Sequence, residues 1–270
     1  MRPQTRGEIA SMLQRHGLTP IHRLGQHFLA DANITTKIVS LAGIQPGDRV
    51  VEAGAGTGTL TAALAEAGAH VIAYEVDGGL RPLLEEVTAG LDVDLRFEDI
   101  MDVDLADVLD KARSWKFVAN LPYNVGTPLV LDAMRHVGQA ELFVVMVQKE
   151  VASRFCASPG SRDYGLPSIV AQIHTMPRLD FTVPPQVFFP APRVESAVLV
   201  MPRVPTPPHS ERAIELAGVA FRQRRKMLRR SLAEEFADTV EVLESVGIAP
   251  TARAEDLTPA EFLRLAGANS

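Results

Sequence analysis

The chain is poor in several residue types that would point to particular architectures: one cysteine, one tryptophan and three tyrosines in 270 residues. A lone Cys156 forms no internal disulfide and builds no multi-thiolate metal site, which suits a reducing cytoplasm. No apolar run approaches the ~18 residues of a membrane helix; residues 142–147 have the length of a buried strand. The arginines near the N-terminus are followed by no apolar stretch, so no secretory signal is expected. Histidine, cysteine and carboxylates nowhere cluster at ligand spacing, and no metal is expected. An excess of positive charge is missing too: 27 basic against 33 acidic residues leave a net charge of −6. Together these absences predict a cytoplasmic protein without membrane contact; a monomer is expected.

What is present is an ordinary globular composition, 46% hydrophobic and 22% charged, at a length that suits one large domain with a small partner. The charge is segregated. Residues 222–230 (RQRRKMLRR) carry six positive charges and no negative one, and the first 27 residues carry four arginines against one acid. Such segregation builds a basic face on an acidic protein.

Strand-like runs at 49–53, 71–75, 93–97, 117–119 and 142–147 alternate with helical stretches at 60–67, 79–87 and 127–137. This predicts an α/β domain with a Rossmann-like parallel sheet and helices on both faces. Two later strands, 179–183 and 196–201, flank a proline-rich segment and are expected at one sheet edge. After the stiff stretch 202–208 (PRVPTPP) no convincing strand follows. Helical periodicity over 211–236 and 238–246, and a capping box at Thr258-x-x-Glu261, predict a small helical domain. The expected division is 1–205, a catalytic domain with an N-terminal basic extension, and 206–270.

The segment Val50-Val51-Glu52-Ala53-Gly54-Ala55-Gly56-Thr57-Gly58 runs from a strand through a glycine turn into a helix. It lacks the Gly-Lys-Ser/Thr ending of a phosphate-cradling loop, and its G-x-G-x-G spacing departs from the G-x-G-x-x-G of dinucleotide binders. An acid followed by this spacing is the signature of S-adenosylmethionine (AdoMet) sites; a purely structural glycine turn is the alternative. Glu75 ends the next strand, where an acid accepts ribose hydroxyls. Asp99 follows the third strand, placed to accept from an adenine amino group. Either acid alone reads as a solvated loop residue; in series at successive strand ends they read as a nucleoside site.

Asn120-Leu121-Pro122-Tyr123 follows the fourth strand. Asn-x-Pro is also an ordinary turn sequence, but here it lies downstream of the glycine motif. With Gly25-Gln26-His27-Phe28-Leu29, Glu75-Val76-Asp77, Gln148-Lys149-Glu150, Phe188-x-Pro190-x-Pro192-x-Val194-x-Ser196, Phe221-Arg222-Gln223-Arg224-Arg225-Lys226 and Arg253-Ala254-Glu255-Asp256-Leu257, the chain resembles the small-subunit ribosomal RNA adenine dimethyltransferases of the KsgA/RsmA type over nearly its whole length. It departs from them at Leu166-Pro167, where relatives often carry Arg-Leu, and at His27, where many carry asparagine.

The resemblance implies AdoMet as methyl donor, contacted by His27, Leu29, Gly54, Glu75, Asp99 and Asn120. It implies N6,N6-dimethylation of two adjacent adenosines in a hairpin loop near the 3′ end of 16S rRNA, in the 30S subunit or its precursor, with a part in subunit biogenesis. The alternatives are a resistance-type adenine methyltransferase acting on large-subunit rRNA and a non-catalytic assembly factor. In the implied chemistry the Asn120 side-chain oxygen and the Leu121 carbonyl accept both target N–H groups, Pro122 shapes the turn, and Tyr123 and Phe188 offer faces to the flipped adenine. Read as one helix, Arg222, Arg225, Lys226 and Arg229 share a face suited to RNA phosphates, the alternative being a merely solvated charge run.

Overall fold

A computed structural model describes residues 4–123 and 125–268. Asn124 and Arg2, which belong to the Asn-Leu-Pro-Tyr-Asn stretch and to the N-terminal arginines, lie outside the described residues. The chain divides into two compact units, residues 1–152 with 178–203, and residues 153–177 with 204–270.

The first unit opens with α1 (Arg6–Arg15), capped by a reciprocal Thr5–Glu8 box. It continues through β1 (Phe28–Leu29), α2 (Ala32–Ala42), β2 (Arg49–Ala53), α3 (Thr59–Glu66), β3 (His70–Tyr74), α4 (Arg81–Val87) and β4 (Val93–Arg96). Then come α5 (Leu105–Val108), β5 (Trp115–Asn120), α6 (Gly126–His136), β6 (Ala140–Gln148), α7 (Lys149–Phe155), which runs into the second unit, β7 (Arg178–Val183), β8 (Phe188–Phe189) and β9 (Ser196–Pro202). The main sheet has the order β4-β3-β2-β5-β6-β9-β7, parallel except for β9, which pairs antiparallel with both neighbours. The alternating reading and the late strands at one edge are both borne out. Strands covered on both faces read as continuous apolar runs, and residues 143–147 of β6 are accordingly buried.

Two features of this unit differ from the sequence reading. The N-terminal segment is no mere basic extension: Ile9 and Leu13 of α1 are buried in the core. Gln4, just before α1, donates to the Thr57 carbonyl (2.9 Å) and accepts from the Thr59 hydroxyl (2.9 Å), tying the N-terminal segment to the glycine turn. Arg203, in the expected linker, donates instead to the carbonyls of Met134 (3.0 Å) and Val137 (2.8 Å), satisfying the open C-terminal end of α6.

The second unit contains α8 (Leu166–His174), α9 (Ser210–Arg222), α10 (Leu228–Ser231), α11 (Thr239–Ser245) and α12 (Pro259–Gly267). It therefore takes residues 153–177 in addition to the tail expected from about 206. The reason is packing: Tyr164, fully buried, donates its hydroxyl to the Leu257 carbonyl (2.8 Å), and its ring meets Phe221 edge-on. Leu166-Pro167 fill the first turn of α8, where a proline costs no hydrogen bond.

The single helix expected over 211–236 is broken. α9 ends at Arg222, and residues 223–227 form a turn. Met227 bridges antiparallel to Arg253, and the N–H groups of Leu228 and Arg229 donate to the Ala252 and Pro250 carbonyls (2.7 and 3.3 Å). Continuing the helix would stack like charges at i, i+3 and i+4, each such pair unfavourable by a few tenths of a kcal/mol. The bend instead aims Arg224 at Glu255 (2.7 Å) and the Ser161 carbonyl (3.1 Å). Arg222, Arg225, Lys226 and Arg229 thus share no helical face, although all four are exposed.

Candidate functional site

β2 and β5 lie side by side at the centre of the sheet, with the chain proceeding from β2 towards one edge and from β5 towards the other. Ligands of open α/β sheets bind at such a switch point, beyond the carboxyl ends of the strands. A cavity of about 910 Å³, counted with its open mouth, lies there. It is lined by the glycine turn, the 24–29 segment, the ends of β3 and β5, and Glu98, Asp99 and Ile100 after β4.

The turn after β2 is built for close approach. Gly54 has φ +78°, and a Cβ there would stand 3.3 Å from the Pro122 ring. At Gly56, φ +58°, a Cβ would reach 3.0 Å from the Phe28 ring. Both positions combine a left-handed backbone with a Cβ contact tighter than ordinary van der Waals packing, a combination that favours glycine. The Gly54 and Ala55 N–H groups donate to the Tyr74 carbonyl (2.8 and 2.9 Å), locking the turn to β3.

Glu75 follows directly. Its two carboxylate oxygens accept from Gly56 N–H (2.8 Å) and Asp77 N–H (2.9 Å). Each oxygen keeps a lone pair for a ribose hydroxyl. Burial pushes its pKa above the usual carboxylate range against the pull of these N–H groups. Gln26 donates to Asp77 (2.8 Å), so two of the sequence motifs meet here. Asp99 is exposed at the mouth, with Oδ1 capping Met101 N–H (3.0 Å).

At the end of β5, the Asn120 Nδ2 donates to the His27 carbonyl (3.3 Å). That contact fixes the amide: the NH₂ end is spent on the scaffold, and Oδ1 is left as an acceptor. His27 Nδ1 lies 2.8 Å from the Pro190 carbonyl, which only accepts, so Nδ1 carries the proton. The Tyr123 hydroxyl is 2.6 Å from the Oγ of buried Ser196, and its burial raises the phenol pKa despite that bond. The ring is therefore held at both ends.

The structure brings His27, Leu29, Gly54, Glu75, Asp99, Asn120, Leu121, Pro122 and Tyr123 to one cavity. Phe188 is not among its lining residues. It is fully buried in the hydrophobic core, where β8 pairs with β1 in the register Leu29↔Phe188. A ring enclosed on all sides offers no face to a base, and the expectation of a second stacking face from Phe188 is corrected. The aromatic ring beside Tyr123 is that of His27, with centroids 5.4 Å apart. Glu52, the acid that the sequence reading used to recognise the motif without giving it a site role of its own, is buried in the cavity wall.

Four carboxylates line the cavity, Glu52, Glu75, Glu98 and Asp99, and neither lysine nor arginine does. A dinucleotide pyrophosphate would be repelled there, whereas a ligand with a sulfonium and an ammonium group is attracted. Among the described residues no cluster of His, Cys, Asp and Glu is placed to hold a metal, and no helix is long and apolar enough to cross a membrane.

A Rossmann-like sheet with a glycine turn at its switch point, acids following β3 and β4 and a cation-seeking cavity defines an AdoMet-dependent methyltransferase. The family model for ribosomal RNA adenine dimethylase matches residues 21–268. The ribosomal RNA small subunit methyltransferase A of Leifsonia xyli is 41% identical over 268 residues, covering 96% of each chain. This chain belongs to that family and is an AdoMet-dependent rRNA adenine dimethyltransferase. Among solved structures, a dimethyladenosine transferase from Plasmodium falciparum superposes with a TM-score of 0.75 at 23% identity, over 88% of this chain and 96% of that one. The 23S rRNA methyltransferase ErmE does so with a TM-score of 0.68 at 24% identity, over 89% and 98%. At these identities the structural likeness speaks for the fold.

Proposed function

We propose that this protein dimethylates the N6 atoms of two adjacent adenosines in a hairpin loop near the 3′ end of 16S rRNA, in the 30S subunit or its precursor. The near full-length similarity to a relative named for the small subunit supports that target. The observation that carries the chemistry is the orientation of Asn120, whose amide NH₂ end is engaged by His27 and whose oxygen is thereby presented as an acceptor.

Bound AdoMet supplies an electrophilic methyl group on a sulfonium. Glu75 would hold the ribose hydroxyls and Asp99 the adenine amino group, with further contacts from the backbone of Gly54, His27 and Leu29. An adenine N6 is a poor nucleophile because its lone pair is delocalised into the ring. Accepting both of its N–H bonds, at Asn120 Oδ1 and the Leu121 carbonyl, favours a pyramidal nitrogen with its lone pair free. Asn120 is neutral and takes no proton; it positions the amine and stabilises positive charge as it develops there. Tyr123, anchored through Ser196, offers a face to the extruded base, a contact of ~1–3 kcal/mol that offsets the few kcal/mol of unstacking.

The test is methylation of undermethylated 30S particles with labelled AdoMet and mass mapping of the product. Two neighbouring adenosines should each gain two methyl groups, with 50S particles unlabelled in parallel. Label confined to 50S particles would assign the large-subunit alternative, and binding without label an assembly role alone.

A further inference from the structure

The methyl-transfer chemistry leaves two stretches of the sequence without a task, Gln148-Lys149-Glu150 and Pro190-x-Pro192-x-Val194-x-Ser196. The sheet brings them together, because β6 and β9 pair with Gln148 opposite Ser196. Residues 190–196 form a strap whose two ends hold two rings of the cavity wall. At one end the Pro190 carbonyl accepts from His27 Nδ1 (2.8 Å). At the other, the buried Ser196 Oγ lies 2.6 Å from the Tyr123 hydroxyl. The two rings stand 5.4 Å apart and are tilted by 32°. A flat base between them would need roughly 7 Å, two contacts of ~3.5 Å, so the base takes another side of Tyr123 and His27 backs the ring.

Next to Ser196 the strap is fastened from outside the cavity. Lys149 donates its backbone N–H to the Glu195 carbonyl (3.0 Å) and its Nζ to Glu195 Oε2 (2.7 Å). Neither residue lines the cavity. The two side chains are 48% and 50% exposed, so their ion pair adds little to global stability. What it does fix is the backbone one residue from the hydroxyl that anchors Tyr123.

We propose that Lys149 and Glu195 are positioning residues for methyl transfer: their ion pair holds the strap, the strap presents Ser196, and Ser196 sets the ring of Tyr123. The inference rests on the reading of Tyr123 as the face that receives the extruded adenine. Neither charged group touches the base or moves a proton. When the pair is opened, the Ser196 end of the strap shifts and the ring follows, and a small misplacement of a bound base is enough to slow its reaction. The loss falls on the chemical step, after RNA and cofactor are seated.

The test is single-turnover methylation of undermethylated 30S particles. Lys149→Ala and Glu195→Ala should each lower the saturating rate about two- to fivefold, the scale on which a half-exposed ion pair acts. The half-saturating 30S concentration, AdoMet affinity and melting temperature should stay close to wild type. Lys149→Glu should be at least as slow, and joining it to Glu195→Lys should recover most of the rate. In a Tyr123→Phe background, where the hydroxyl that Ser196 holds is gone, Lys149→Ala should cost nothing further. Wild-type rates in both alanine variants, a charge swap without recovery, or a Lys149→Ala loss that multiplies in full with Tyr123→Phe would overturn the positioning role. A raised half-saturating 30S concentration with a flatter salt dependence in Lys149→Ala would overturn it too, since that pattern marks a direct phosphate contact. Wild-type turnover in Tyr123→Ala would instead remove Tyr123 from the base site, and the reading beneath the proposal with it.

Discussion

The acidic cavity of the first unit and the basic turn of the second hold charge in opposite ways. In the cavity, Glu75 is buried and clamped by two backbone N–H groups, and Glu52 is buried with one oxygen unpaired. In the turn, Arg225 and Lys226 stand in solvent, as does Arg229 just after it in α10, and Arg224 has been drawn into the structure by Glu255 and the Ser161 carbonyl. Charges that serve a small ligand are fixed before it arrives, which lowers the reorganisation needed at binding. Charges that meet a polyphosphate backbone need no such fixing, because long-range attraction and counterion release do not depend on one rotamer. The net charge of −6 conceals this division of labour.

The largest effect is expected where the cavity touches the chemistry. Asn120→Ala removes the acceptor but also frees the His27 carbonyl, and turnover should fall by roughly 3–4 kcal/mol of transition-state stabilisation, about two to three decades in kcat. RNA affinity, which comes mostly from phosphates, should stay near wild type. Single-turnover methylation beside a filter-binding titration checks both; near-normal turnover would remove Asn120 from its role.

Gly54→Ala should come next. Its left-handed backbone costs an L-residue ~1–3 kcal/mol, and the new Cβ presses on Pro122, 3.3 Å away, in the segment that carries Asn120 and Tyr123. A lowered melting temperature together with weaker AdoMet binding is expected. Unchanged stability with weak binding would mean that the glycine serves the ligand alone.

Much of the cavity was legible in the sequence because its motifs encode backbone geometry. A positive-φ glycine or an acid at a strand end keeps its meaning whatever packs around it, so Gly54, Glu75, Asp99 and Asn120 meet at one cavity as their spacing implied. Phe188 was misread because its motif says nothing about burial: only the pairing of β8 with β1 places that ring in the core. The run 222–230 was misread because helical periodicity is a local signal, and the contacts of Met227 and Leu228 with residues 252–253 are not. The same contacts give part of the Arg-Ala-Glu-Asp-Leu stretch a structural use, since Glu255 is the partner of Arg224 and Asp256 caps the Arg253 N–H.

Tyr123 separates ring from hydroxyl. Tyr123→Ala forfeits a stacking face of ~1–3 kcal/mol. Tyr123→Phe keeps the face but leaves the buried Ser196 Oγ without its 2.6 Å partner. A penalty of about 1 kcal/mol is expected there, felt as a several-fold loss in kcat and a small drop in thermal stability. If phenylalanine proves worse than alanine, the hydroxyl rather than the ring is what the reaction uses.

The smallest shifts belong to the basic turn, and there the neighbours must be compared with one another. Arg225 and Lys226 are exposed and support nothing visible in the second unit, whereas Arg224 joins Glu255 and Ser161. Replacing Arg225 and Lys226 with alanine should leave melting temperature and AdoMet affinity unchanged and weaken 30S binding. The salt dependence of that binding should fall by roughly 0.7–0.9 in logarithmic slope for each phosphate no longer neutralised. Arg224→Ala should show the reverse pattern. Its removal costs up to ~1 kcal/mol of stability, the scale of a partly exposed ion pair, while the salt slope stays near wild type because that guanidinium is already committed within the protein. The two variants together distinguish a docking surface from a solvated bend. If neither changes the slope, the six cations of 222–230 are there for solubility and folding, and the phosphates are met elsewhere. If Arg224→Ala flattens the slope as much as the double substitution, the ion pair with Glu255 opens on binding, and the turn is a site that the RNA itself completes.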